Sequence, residues 1–316
     1  MKRLLIATLM LVVAESAATI VRAQDYDIAI LGGRVMDAET GFDAVRNVGI
    51  RGGRIAIITA EAIEARRTID ASELVVSPGF IDLHAHGQDP FSRRLQAADG
   101  ATTALELEIG VFPVGDWYDS HNGKSIINYG ATVSHLGARI SVFHDVDVGH
   151  LPTAPPEVLA AIASRDYSNE RATHEQITLI ADLLREGLRE GALGLGFGVG
   201  YAPKSTHNEI YQTFKVAQEF SVPVFVHMRS RRAFNEADSI GSTQEVIANA
   251  AATGAALHIV HLGSSGGGQT RVCLEMIRGA RQQGIDVTTE VYPWTASSTR
   301  IESALYDTMP DGNDYS

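Results

Sequence analysis

Two histidines close the stretch VVSPGFIDLHAHG, Val75 to Gly87: His84 and His86, spaced i, i+2. Along an extended chain successive side chains alternate faces, so both imidazoles project the same way, about 7 Å apart. In TTALELEIG the same alternation puts Glu106 and Glu108 on one face. His227 ends the apolar run of VPVFVHMRS and His261 that of LHIVHLGSS. Imidazole nitrogen and carboxylate oxygen are ligand types that zinc accepts, so four histidines with one or two glutamates converging on one mouth are a set for one or two divalent ions. Taken singly, each histidine is as readily a packed or solvated residue. Their joint recurrence at strand ends carries the expectation.

Other chemistry-bearing residues fit this pattern less well. His135 ends ATVSH and is open to either a supporting or a substrate-facing role, whereas His258, three positions before His261, faces the other side of its strand and reads as structural. The ligand-rich FHDVDVGH lacks strand or helix spacing and reads as a solvated loop. Cys273, the only cysteine, falls in a helical pattern with Val272, Met276 and Ile277 and reads as a buried thiol; it has no partner for an intramolecular disulfide. Gly263 to Thr270, GSSGGGQT, matches a phosphate-binding loop except at the lysine, where Gln269 stands. Without that charge the nucleotide reading fails, although an amide-rich turn at a helix start suits a substrate carboxylate.

The elements that must position these residues show in the hydrophobic pattern. Strand-like runs fall near 75–84, 102–109, 126–135, 191–197, 222–228, 257–262 and 286–292. Helices lie between several of them, opened by the capping pairs Thr173 with Gln176, Thr206 with Glu209 and Ser242 with Glu245. Ile177, Ile180, Leu184 and Leu188 follow helical spacing up to Gly191. Seven strands alternating with helices indicate an α/β fold of the (β/α)8 TIM-barrel type, with one long insertion at 136–190. Only 22 residues follow Trp294, too few for a further helix and an eighth strand, so the barrel is expected to be incomplete. Residues 24–74 show short strands with glycine turns at hairpin spacing and read as a small β-sandwich-like domain, leaving 75–316 for the barrel.

Composition sets the outer limits. A chain of 316 residues, 45% hydrophobic and 20% charged, is long enough for a large core. Residues 1–23 carry Lys2 and Arg3, an apolar run too short to span a bilayer, and small residues before Gln24, the layout of a secretory signal. Its removal takes away Lys2, Arg3, Arg22 and Glu15, a net +2, and changes the formal charge from −12 to −14. So acidic a surface disfavours nucleic acid and anionic membrane as partners. The signal layout points to a periplasmic or secreted protein, and no stretch of the expected mature chain is long and apolar enough to span, so it is expected to be soluble.

PGFIDLHAHG, HMRS, IVHLGSSG and VTTEVYPWTASST resemble motifs of the amidohydrolase superfamily, and within it the N-acyl-D-amino-acid deacylases; GALGLGFGVGYAP is similar to that group's fourth strand and tyrosine loop. The likeness runs from about residue 26 to residue 299, with the motifs in order. It implies a zinc-dependent barrel with a small sandwich, hydrolysis of a linear amide such as an N-acyl amino acid, and metal ligation by His84, His86, His227 and His261. The chain departs from the group where a ligating cysteine is usual: Ile109 stands there, with Glu108 the first choice of carboxylate ligand and Glu106 the second. The group's catalytic aspartate ends the eighth strand, for which this sequence shows no counterpart, so low activity is expected. Tyr201 and Arg229 suit a substrate carboxylate by hydrogen bond and by guanidinium geometry.

Two other readings are open. A hydantoinase-like cyclic-amide hydrolase shares the paired histidines but requires a carboxylated lysine on the fourth strand, and GALGLGF has none. The second is an inactive fragment that keeps only metal binding. Protein recovered from periplasm or medium is expected to begin near Gln24, which N-terminal sequencing checks. Recovery from the cytosol alone, with Met1 intact, is the contrary result.

Overall fold

The computed structural model describes residues 25–146, 148, 156–229, 237–292 and 294–296. The expected signal over 1–23 and the stretch after Ala296 lie outside them. The chain divides between Pro78 and Gly79 into two units. The boundary falls later than the expected 74/75 because Val75 and Val76 pair with the first strand.

The first unit is one five-stranded sheet. Strand β1 (Tyr26–Asp37) pairs antiparallel with β2 (Phe42–Arg51), and β2 pairs antiparallel with β3 (Arg54–Thr59). Gly52 and Gly53, at φ +58° and +74°, supply the two left-handed residues that a tight hairpin turn requires. The other edge of β1 takes β4 (Ala65–Asp70) and β5 (Val75–Val76), both parallel to it. Hairpin spacing implied a small β-sandwich-like unit; among the described residues it is a single mixed sheet, because β4 and β5 each pair in parallel with β1 and not with the strand before them.

The second unit carries seven parallel strands: β6 (Phe80–Asp82), β7 (Ala101–Val111), β8 (Asn128–Ser134), β9 (Leu195–Gly198), β10 (Val224–His227), β11 (Leu257–Ile259) and β12 (Val287–Thr289). Their order in the sheet is their order in the chain. A doubly wound sheet reverses direction at a switch point, whereas a barrel adds each strand beside the last, so this is the barrel arrangement. Between the strands lie α1 (Pro90–Ala98), α2 (Val114–His121), α3 (His135–His144), α4 (Pro156–Ser164), α5 (Asp166–Asn169), α6 (His174–Arg189), α7 (His207–Phe220), α8 (Ala237–Thr253), α9 (Leu262–Ser265) and α10 (Thr270–Gln282). Helices α3 to α6 make up the expected insertion between β8 and β9. The first of them takes in Phe143 and His144, so FHDVDVGH is not wholly loop.

Strands covered on both faces should be apolar throughout, and every residue of β9 and β10 is buried. Helix α6 turns Ile177, Ile180, Ala181, Leu184 and Leu188 toward that core, as its spacing requires. Its start is a full capping box between Thr173 and Gln176. At α7 only half of the expected box forms: Thr206 caps the Glu209 amide, but the Glu209 carboxylate turns inward to His135 and Arg139. Ser242 caps nothing at a helix start, since α8 begins at Ala237. Leu184→Ala is expected to destabilise by about 2–5 kcal/mol, and Leu179→Ala, on the exposed face, by less than about 0.5 kcal/mol. Urea unfolding of the purified variants measures both.

Candidate metal centre

Glu108 is the focus of the C-terminal strand ends. It is 2% exposed, and its two carboxylate oxygens receive four imidazoles. Oε1 lies 2.5 Å from His227 Nδ1 and 2.8 Å from His261 Nε2. Oε2 lies 3.1 Å from His84 Nε2 and 2.9 Å from His86 Nε2. The facing nitrogens approach one another as well: His84 and His86 Nε2 are 3.2 Å apart, and His261 Nε2 and His227 Nδ1 are 3.1 Å apart. The role of each of these nitrogens depends on its ring's tautomer: an N–H directed at Glu108 satisfies the carboxylate, and a divalent cation would do so in its place. The donor set is one that zinc accepts, and atoms of His84, Glu108 and His261 all lie within 4.8 Å of one another.

Local backbone features aim these groups. The pairing of β7 with β8 shifts register between Glu106 and Val111, a bulge of the kind that redirects side chains. Gly110 permits it: φ is +72°, and a Cβ there would stand 2.6 Å from Thr132 Oγ1 and 2.7 Å from the Thr132 carbonyl oxygen. His84 and His86 lie beyond the end of β6, with His84 in a bridge to Glu106, so they are not residues of a continuous strand. Extended geometry therefore does not set their spacing, and their rings converge to 4.9 Å between centroids. His261 adopts φ +36° and ψ +47°, a conformation costly for a side-chain-bearing residue. Its carbonyl accepts the Ser264 and Ser265 amides, and its Nδ1 lies 2.7 Å from Ser265 Oγ.

The remaining sequence candidates separate. Glu106 is beside the centre but behind His86, 2.8 Å from its Nδ1. Tyr201, in a single 3-10 turn after β9, lies with its ring 4.5 Å from that of His227. Arg229 meets the chain's own groups instead of presenting a clamp: Nη1 donates to the Pro203 carbonyl at 2.6 Å, Nη2 to that of Ser205 at 2.9 Å, and Nε and Nη2 engage Glu245. A substrate carboxylate would have to displace a partner already in place. His135 is fully buried and joined to Glu209 at 2.9 Å, with the Phe197 ring 4.0 Å away, and so belongs to an interior network. In the glycine-rich turn the Ser264, Ser265, Gly266 and Gln269 amides donate to the His261, Leu262 and Gly266 carbonyls. Cys273 is buried, as its helical position implied.

Sequence reasoning missed Glu290. It follows β12 directly, and its Oε1 lies 2.5 Å from His84 Nδ1, two residues past β6. The rule that working residues sit at C-terminal strand ends points to it. His258, read as structural, also reaches it, with Nε2 3.5 Å from Glu290 Oε2.

These contacts fix the electrostatics. Burial disfavours the charged form of His84, but Glu108 and Glu290 outweigh it and raise the imidazole to about 9. At His86 burial is likewise overcome, by Glu106 and Glu108, and the value rises to about 10. Burial pushes Glu108 upward, and its four imidazoles hold it well below the usual carboxylate range. Glu290, also opposed by burial, is drawn down to about 2 by His258 and His84.

No family model matches the chain. It is similar to a D-aminoacylase of Alcaligenes xylosoxydans xylosoxydans, 27% identical over 303 residues, covering 89% of this chain and 60% of that protein. It is similar to an N-acyl-D-glutamate deacylase of the same organism, 27% identical over 302 residues, covering 90% and 60%. Among solved structures it resembles an N-acyl-D-glutamate deacylase from Bordetella bronchiseptica, complexed with zinc and a phosphonate inhibitor. That match has a TM-score of 0.67 and 24% identity, and covers 85% of this chain and 59% of that one. The chain thus spans about 60% of the length of the curated relatives it matches. The likeness to deacylases of the amidohydrolase superfamily seen in the motifs extends over most of the chain, and the fold is theirs.

The shifts give a pH dependence with a defined sign. His84 and His86 hold their protons more tightly folded than unfolded, so their contribution is full below about pH 6.5 and is lost as pH rises through about 9 and 10. His86, with its side chain 53% exposed, is screened by water and contributes less. Glu290 acts oppositely, contributing above about 4.5 and losing its effect as pH falls through about 2. Chelator-treated protein should therefore lose melting temperature from pH 6.5 to 10. With a divalent ion added, the ion's contribution should grow over the same range, because ligating imidazoles must be unprotonated. Thermal denaturation at several pH values, with and without the ion, measures both trends.

Proposed function

We propose that this chain is a metal-dependent amidohydrolase of the N-acyl-D-amino-acid deacylase type, acting on linear amides and using zinc. The observation that carries the reading is the convergence of four imidazoles on buried Glu108 at the strand ends. It is supported by likeness to two deacylases across nearly nine-tenths of the chain. His84, His86, Glu108, His227 and His261 would hold one or two ions, with Glu108 the shared carboxylate. When bound, zinc polarises the scissile carbonyl and makes the attacking water more acidic.

The chain's own residues supply the setting. Oε1 of Glu108 serves the pair His227 and His261, and Oε2 serves His84 and His86, so one carboxylate joins two halves of the centre. The proposed role of Tyr201, whose ring lies 4.5 Å from that of His227, is to donate a hydrogen bond to a substrate carboxylate. Arg229 fixes the 203–205 loop that follows Tyr201 and acts by positioning it. The carboxylate at the centre comes from β7, and β9 contributes no lysine, which speaks against the cyclic-amide reading. A periplasmic or secreted location belongs to the same proposal and rests on the composition of residues 1–23. Small molecules are the proposed partners. Among the described residues no helix is long and apolar enough to cross a membrane.

Elemental analysis tests the centre. Purified protein is expected to carry one to two zinc equivalents, and His84→Ala, His227→Ala or His261→Ala to remove most of it, while Cys273→Ala leaves it intact. Hydrolysis should favour N-acetyl-D-amino acids over their L forms, cease with chelator and return with zinc. Equal metal content in all variants would refute the centre. Turnover of hydantoins alone would move the assignment to cyclic amides, and full zinc with no turnover would leave only metal binding.

A further inference from the structure

We infer that Glu290 and Glu106 are positioning carboxylates for the paired histidines: each fixes the tautomer of one ring so that both Nε2 lone pairs face the centre. The inference rests on the metal-binding reading above and concerns groups behind the ligands, not the ligands themselves.

The geometry is the same for both rings. His84 presents Nδ1 to Glu290 Oε1 at 2.5 Å and Nε2 to Glu108 Oε2 at 3.1 Å. His86 presents Nδ1 to Glu106 Oε2 at 2.8 Å and Nε2 to Glu108 Oε2 at 2.9 Å. A neutral imidazole carries one N–H, and a carboxylate can only accept. Glu108 faces both Nε2 atoms as well, so with an ion held on the Glu108 side the carboxylate behind each ring is the acceptor that remains for its one proton: Nδ1 keeps the proton and Nε2 is left as a donor to the metal. The carboxylate also makes that nitrogen more basic, which strengthens ligation. Nothing in the spacing of His84 and His86 selects this tautomer. It comes from β12 for one ring and from β7 for the other.

Glu290 is itself held in place. The His261 backbone N–H donates to its Oε1 at 3.4 Å, and His258 Nε2 lies 3.5 Å from its Oε2. The other ring nitrogen of His258 is 2.8 Å from Thr288 Oγ1. A chain of polar contacts thus runs from Thr288 through His258 and Glu290 to His84, joining the ends of β12, β11 and β6. Glu106 is anchored more simply, its Oε1 accepting the Ile109 amide at 3.3 Å within the β7 bulge. Removing either carboxylate would free an imidazole to turn or to place its proton toward the centre.

The experiment measures ion affinity in the full chain. Zinc dissociation constants come from competition with a chromophoric chelator, and the ligand field from the absorption of the cobalt-substituted protein. Melting in chelator reports on the fold. Glu290→Ala is expected to weaken zinc by about 10- to 100-fold and to shift the cobalt spectrum at unchanged stoichiometry. Glu290→Gln keeps the shape without the charge and should fall between Glu290→Ala and the parent, as should Glu290→Asp. Glu106→Gln should act in the same direction through His86, and His258→Gln more weakly, being one contact further away.

Unchanged affinity and spectrum in both Glu290→Ala and Glu290→Gln, with His84→Ala clearly weakened, would overturn the positioning role and leave the metal centre standing. Loss of a whole zinc equivalent in Glu290→Gln would also overturn it, by making Glu290 a ligand. If the parent binds no zinc, or His84→Ala matches the parent, the metal-binding reading has failed first.

Discussion

A carboxylate buried to 2% exposure must be compensated, and at Glu108 four imidazoles do it. Breaking a buried charged pair by removing one partner costs about 3–5 kcal/mol, since the remaining charge is left in a medium that solvates it poorly. The four rings come from the ends of three strands, β6, β10 and β11, and Glu108 from a fourth. Their meeting therefore constrains the relative placement of strands far apart in sequence. His261 and Glu108 are 153 residues apart, yet their atoms are 2.8 Å apart.

The parallel, singly wound sheet makes that meeting possible. Parallel strands all end on the same side, so residues just beyond each strand share one mouth. Local departures from regular geometry then bring the side chains together. The register of β7 shifts between Glu106 and Val111, where Gly110 takes a positive φ, and His261 adopts a left-handed conformation just past β11. A left-handed non-glycine residue costs on the order of 1 kcal/mol or more. Hydrogen bonds from the Ser264 and Ser265 amides and the contact with Ser265 Oγ offset that cost. The His135–Glu209–Arg139 network ties α3 to α7, and the Arg229–Glu245 pair ties the segment after β10 to α8, so residues that looked substrate-facing serve the scaffold.

Much of this was legible before the fold was known. Each barrel strand coincides with an apolar run of the sequence, with β7 and β9 overrunning theirs by one or two residues; for the fully buried β9 and β10 the reason is that a strand covered on both faces must be apolar along its length. The α6 helix and its capping box were equally clear, being set by residues three and four apart. Local signals failed where a longer-range partner won. Glu209 has capping-box spacing but finds better compensation in Arg139 and His135. Ser242 with Glu245 has the same spacing, yet lies inside a helix that begins earlier. The run from Val75 to His84 looked continuous, but Val75 and Val76 pair with β1 while β6 starts at Phe80.

The sequence by itself determined which residue types stand at the strand ends, and so the chemistry available: His84, His86, Glu108, His227 and His261 as nitrogen and oxygen donors. Periodicity reaches that far because burial acts on each element separately. Only the tertiary structure decided which ring nitrogen faces the centre, which glutamate occupies it, and that Glu290 and His258 stand behind it. It also decided that Arg229 and His135 spend their hydrogen bonds on the protein itself. These are outcomes of competition among groups dozens of residues apart, settled by distance and burial in the folded chain, and no local spacing encodes them.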